Sequence, residues 1–166
     1  MYFFMIITYI LSFISLILLI LSGFEGVFKL NIYGGLFPTP LGFITAIVYL
    51  FTEVLVMFFF VGTGVSIKEF VQENKLDRSF HARSFQIKRE LYPPTLLNVF
   101  LIMTVFIIGG GVDTKVIPNW IHGILFYISF FHFLKLIVIQ HKCFKDNTTI
   151  VLEMTGLTKK NETDSL

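Results

Sequence analysis

Apolar residues fall into four long runs, at about 3–22, 41–65, 95–111 and 118–140. Shorter stretches rich in Gly, Pro and charge separate them. Each run approaches or exceeds the ~20 residues an α-helix needs to cross about 30 Å of hydrocarbon. The pattern predicts an all-α integral membrane protein with four transmembrane helices in a bundle. The second and fourth runs are long enough to tilt or to project into the headgroups. The third is the shortest. It follows Pro93-Pro94 and runs into Gly109-Gly110-Gly111. Prolines suit a helix start and glycines its end, so the run reads as one short span. The first run carries no charge before Glu25. It lacks the basic n-region of a signal peptide and exceeds its apolar length, so it reads as a retained span.

The polar segment 66–94 has order of its own. Val65, Ile67, Phe70, Val71 and Leu76 keep near-helical spacing among charges, which extends the second helix as an amphipathic stalk. Residues 85–92 form another amphipathic piece, suited to lying on a membrane surface. The first connection, Gly23 to Pro40, is rich in Gly and Pro and reads as compact. The chain divides into a transmembrane domain, 1–145, and a polar tail, 146–166.

Charge gives the spans a direction. Ten of the thirteen basic residues lie in the second connection or in the tail: Lys68, Lys75, Arg78, Arg83, Lys88, Arg89, Lys142, Lys145, Lys159 and Lys160. The other two connections carry only Lys29 and Lys115. The positive-inside rule places the basic side in the cytoplasm or its organelle equivalent. Both termini then lie inside, as an even number of spans requires. Trp120 falls at the outer interface and Tyr92 at the inner one. Two sequons, at Asn147 and Asn161, face the cytoplasm in this topology and are discounted as glycosylation sites. The setting is a bacterial inner membrane or an organelle inner membrane.

Composition agrees. Of 166 residues, 55% are hydrophobic, 14% are charged and 21 are Phe; soluble domains carry about 25% charge. One core cannot hide that much apolar surface. The net charge of +2 is too small to suggest nucleic acid. A single cysteine, Cys143, excludes an intrachain disulfide and multi-thiolate metal clusters.

Membrane helices associate through small and polar residues, since apolar burial gives no preference over lipid. Thr8, Ser12, Ser15 and Ser22 share one face of the first span and form a helix-packing seam. Gly62 and Gly64 suit close helix approach. Glu53 lies near the middle of the second span, where a carboxylate costs on the order of 3 kcal/mol. His132 and Lys135 in the fourth span lie at a comparable depth, with His122 nearer the outer end. The expected contact joins Glu53 to His132 or Lys135 in an intramembrane polar cluster. His122, Ser129 and Gln140 align on one face of the fourth span.

No Ser-His-Asp order, HExxH motif or P-loop is present, so a catalytic role is not expected and no metal or cofactor is predicted. His122 and His132 lie about 15 Å apart on one helix and cannot ligate one haem together. Asp113 suits capping or local binding outside, where it could meet His122. The leading expectation is a non-catalytic accessory or anchor subunit of a larger membrane complex, respiratory or otherwise redox. One alternative is a small transporter or proton-conducting protein using Glu53 with His132 and Lys135. Another is a haem-bearing anchor. Expected partners are the bilayer, other membrane subunits and, at the basic loop 68–89, a soluble partner or anionic lipid.

Overall fold

The computed structural model describes residues 2–28 and 40–164, all of them helical or in short turns between helices. Four helices follow one another: α1 (Tyr2–Phe28), α2 (Pro40–Glu73), α3 (Ser79–Asp113) and α4 (Asn119–Asp164). All four are long and apolar enough to cross a membrane. Lys29 and most of the first connection lie outside the described residues.

The helices alternate in direction. α1 packs on α2 and α4, and α3 packs on the same two. The order round the bundle is therefore α1, α2, α3, α4, with α2 and α4 meeting across the diagonal. Buried positions explain this packing. Along α4 Ser129, Phe133, Leu136, Gln140, Cys143, Asn147, Ile150 and Met154 follow an alternation of four and three, with Phe144 buried beside Cys143 as an addition to it. α3 follows nearly the same rule with Phe80, Ser84, Ile87, Leu91, Thr95, Asn98, Ile102 and Val105. A mean repeat of 3.5 residues keeps one seam facing its neighbours in a gently supercoiled bundle.

Three expected boundaries change. α3 does not begin after Pro93-Pro94; it starts at Ser79 and passes through both prolines. The prolines remove the helical partners of the Arg89 and Glu90 carbonyls. Both residues are exposed, so water can take the bonds. Leu91 and Thr95, fully buried on either side, hold the two halves in one seam. Residues 85–92 consequently do not lie flat on a surface, since Ile87 and Leu91 belong to the core. The tail also does not start at 146. α4 continues to Asp164, and Asn147, Ile150 and Met154 are buried. The extended helices are each other's cause: the stalk of α2, the first half of α3 and the last half of α4 cover one another's apolar stripes.

Glycines serve close approach between helices at two places. A Cβ on Gly23 would come within 2.9 Å of the Phe126 ring, where α1 meets α4. A Cβ on Gly64 would run into the Lys88 side chain on α3. The glycine run 109–111 is helical and does not itself end α3. Its end is set by Lys115 in the left-handed region, φ 61°. The Val116 N–H donates to the Gly111 carbonyl at 3.0 Å and the Lys115 N–H to Val112 at 2.9 Å. Lys75, φ 52°, ends α2 in the same way, with Leu76 N–H donating to the Val71 carbonyl. These are Schellman closures with lysine where glycine is usual. The Ser79 N–H donates to the Asp77 carboxylate at 3.0 Å and holds that acid below its usual pKa.

Candidate functional site: an interhelical polar ladder

α2 supplies the centre of the bundle. Thr45, Tyr49, Thr52, Glu53, Val56 and Phe60 lie on its buried face. The polar members each find a partner on another helix. At one end Ser22 Oγ and Thr45 Oγ1 are 2.8 Å apart. Two turns along, Ser15 Oγ and Thr52 Oγ1 are 3.1 Å apart. Thr8, Ser12 and Ser15 are buried and Ser22 is half-buried.

The next rung joins three helices. The Tyr49 hydroxyl donates to Asn98 Oδ1 on α3 at 2.5 Å. Asn98 Nδ2 donates to the Ser129 carbonyl on α4 at 2.9 Å. That carbonyl lies in a helix and still has a lone pair to offer. The Ser129 hydroxyl turns back to the Leu125 carbonyl. Phe133 packs edge-on to Tyr49, with ring centroids 5.3 Å apart. Tyr49, Asn98, Ser129 and Phe133 are all fully buried.

Glu53 sits one helical turn from Tyr49 and is also fully buried. Its partner is not the expected one. Gln140 Nε2 on α4 donates to Glu53 Oε2 at 2.7 Å. Glu53 forms no ion pair with His132 or Lys135. Lys135 is exposed, and His132 is half-buried with its Nδ1 atom unpartnered. Spacing explains the difference. Gln140 stands in the 4-3 seam that includes Phe133 and Leu136, whereas His132 and Lys135 each precede a seam position by one residue, about 100° away. Glu53 Oε1 has no hydrogen-bond partner.

His122 lies at the other end of α4 beside Gly109, whose absent Cβ would stand 3.4 Å from His122 Nε2. The structure does not bring His122 to the Glu53 cluster. Gly62 is exposed, with nothing among the described residues within 4 Å of where its Cβ would stand, so the close approach within the bundle is at Gly64. Among the described residues no group of three His, Cys, Asp or Glu side chains is placed to hold a metal ion.

Asn98 is the residue that sequence reasoning missed. It is the only amide in the third apolar run, and an amide in such a run needs a partner. Gln140 was visible as aligned with Ser129, but its place at the apparent end of a span concealed its central position.

Outside the ladder, the basic end is held by two ion pairs between α3 and α4. Arg83 meets Glu153 at 2.5 Å and Lys142 meets Glu90 at 2.7 Å. All four side chains are about half exposed, so each pair is worth at most about 1 kcal/mol. Comparison with protein-family models, curated proteins and solved structures finds no match for the chain.

Proposed function

We propose that this chain is a non-catalytic accessory subunit of a larger membrane assembly, with both termini on the cytoplasmic side. One observation carries the reading: the apolar belts of the two hairpins are out of step. On α1 and α2 exposed apolar residues reach from Phe24 to Phe3 and from Phe43 to Val65. On α4 the exposed apolar residues, interrupted by the exposed Lys135, reach Val138, with only Leu152 beyond, and on α3, past an isolated Phe85, they start at Leu96. Contacts fix the relative heights. Tyr92 bonds to the Met57 carbonyl, and Gly64 lies against Ser84 and Lys88. At the height of Phe58 to Val65, therefore, α3 and α4 present Arg89, Glu90, Lys142 and Lys145 to solvent.

The offset is about ten residues, or roughly 15 Å of helix. A bilayer of even thickness covers both belts only by a steep tilt of the bundle. A neighbouring protein on the α1–α2 side covers the surplus without it. The interior supports the same reading, because its polar side chains are used to join helices. Extraction from native membranes in mild detergent should leave the chain in a particle clearly larger than its 19.1 kDa plus micelle. A lone monomer at every detergent concentration would contradict the proposal.

A second reading rests on two of the four buried side-chain atoms without a hydrogen-bond partner among the described residues, Glu53 Oε1 and His132 Nδ1. They are what a proton- or ion-conducting protein would retain. Proton flux through reconstituted vesicles that is lost in Glu53→Gln would favour it.

A further inference from the structure

A cleft of about 390 Å³ opens between the first turns of α1 and the middle of α4. Its walls differ. Met5 and the Tyr9 ring form one side; His141, Phe144, Lys145 and Thr149 form the other. Tyr9 Oη and His141 Nδ1 are 2.9 Å apart, which ties the two helices together at the cleft. His141 and Lys145 are exposed and one helical turn apart. Lys142 is engaged with Glu90, whereas among the described residues no acidic side chain pairs with Lys145.

The cleft lies at the step between the two apolar belts. Beyond the cleft, towards the α1–α2 connection, both helices expose apolar side chains, Ile10 and Phe13 on α1 and Val138, Leu134 and Phe131 on α4. A ligand seated here therefore meets cationic and hydroxyl groups at one end and hydrocarbon-facing surface at the other. We infer that this cleft is a binding site for an anionic phospholipid. The phosphate faces Lys145 and His141, and the acyl chains run along α1 and α4. The chemistry matches: a phosphate takes N–H and O–H donors, and a lysine at headgroup height attracts anionic lipid. The site stands apart from the basic loop and from the assembly reading. It requires only that the α1–α4 face be open to lipid.

Native mass spectrometry of the full chain released from neutral detergent tests this, with phosphatidylglycerol or phosphatidylcholine added at equal mole fraction. A one-to-one adduct with phosphatidylglycerol is expected, with phosphatidylcholine well below it. Lys145→Ala should weaken the adduct about fivefold. Lys68→Ala, which removes an exposed charge from the same end of the bundle, should leave it unchanged. Lys145 is exposed, so the variant should fold, and unchanged helical circular dichroism checks this. Equal adducts with both lipids would overturn the inference, as would equal losses in the two variants. Displacement of the lipid by excess inorganic phosphate would mark a free-anion site instead and would also overturn it.

Discussion

Asn98→Ala is expected to destabilise the bundle by about 2–3 kcal/mol. The change removes the bond from Asn98 Nδ2 to the Ser129 carbonyl and the acceptor of the Tyr49 hydroxyl. It also leaves a void where three helices meet. Interhelical hydrogen bonds in membranes average well under 1 kcal/mol each, so the bonds alone do not supply this loss. The larger share comes from a buried hydroxyl left without a partner and from lost packing contacts. A double-mutant cycle separates these terms. Tyr49→Phe removes the orphaned hydroxyl, so Asn98→Ala should cost about 1 kcal/mol less in that background. Unfolding measured in detergent gives all four values. Additive effects would show that Tyr49 and Asn98 do not act as a pair.

Glu53 should be sensitive to shape and sign more than to the loss of its own charge. In Glu53→Gln an amide oxygen still accepts from Gln140, and stability should stay within about 1 kcal/mol. In Glu53→Ala the Gln140 amide loses its acceptor and a void opens, for a loss of about 2–3 kcal/mol. Glu53→Lys places a cation opposite the Gln140 amide donor with no acid to answer it, and should abolish the folded bundle. Thermal unfolding of the three variants in one detergent reads the order Gln, Ala, Lys. If Gln were as damaging as Ala, the Gln140 bond would not be what holds Glu53. If Gln were stable but inactive in a flux assay, the conducting reading would displace the structural one.

The four helices are legible in the sequence because largely apolar runs of about twenty residues leave a chain few alternatives. Their true lengths are not. The run after Gln140 looks polar, with His141, Lys142, Lys145 and Asp146. Its seam of Cys143, Asn147, Ile150 and Met154 becomes apparent only when the 4-3 spacing is carried past the apolar run. Asn147, a buried amide in that seam, reads in the sequence as part of a cytoplasmic sequon. The prolines mislead for a related reason. Proline pairs usually begin a helix, but here packing on both sides of Pro93-Pro94 outweighs the local preference. The hydroxyls of α1 were readable at helical spacing because small polar residues among Ile, Leu and Phe stand out. Partner choice across the bundle was not. It depends on the angular phase of α4, and one residue in sequence turns a side chain by about 100°.

The step between the belts is the feature on which the accessory-subunit reading rests, and a photo-crosslinking residue can interrogate each side of it. Placed at Phe58 on the deep belt of α2, the probe should join the chain to another protein in native membranes. Placed at Val138 on α4, where the belt matches lipid, it should give lipid adducts and little protein. Protein adducts absent from Phe58, or equal at both positions, would contradict the account.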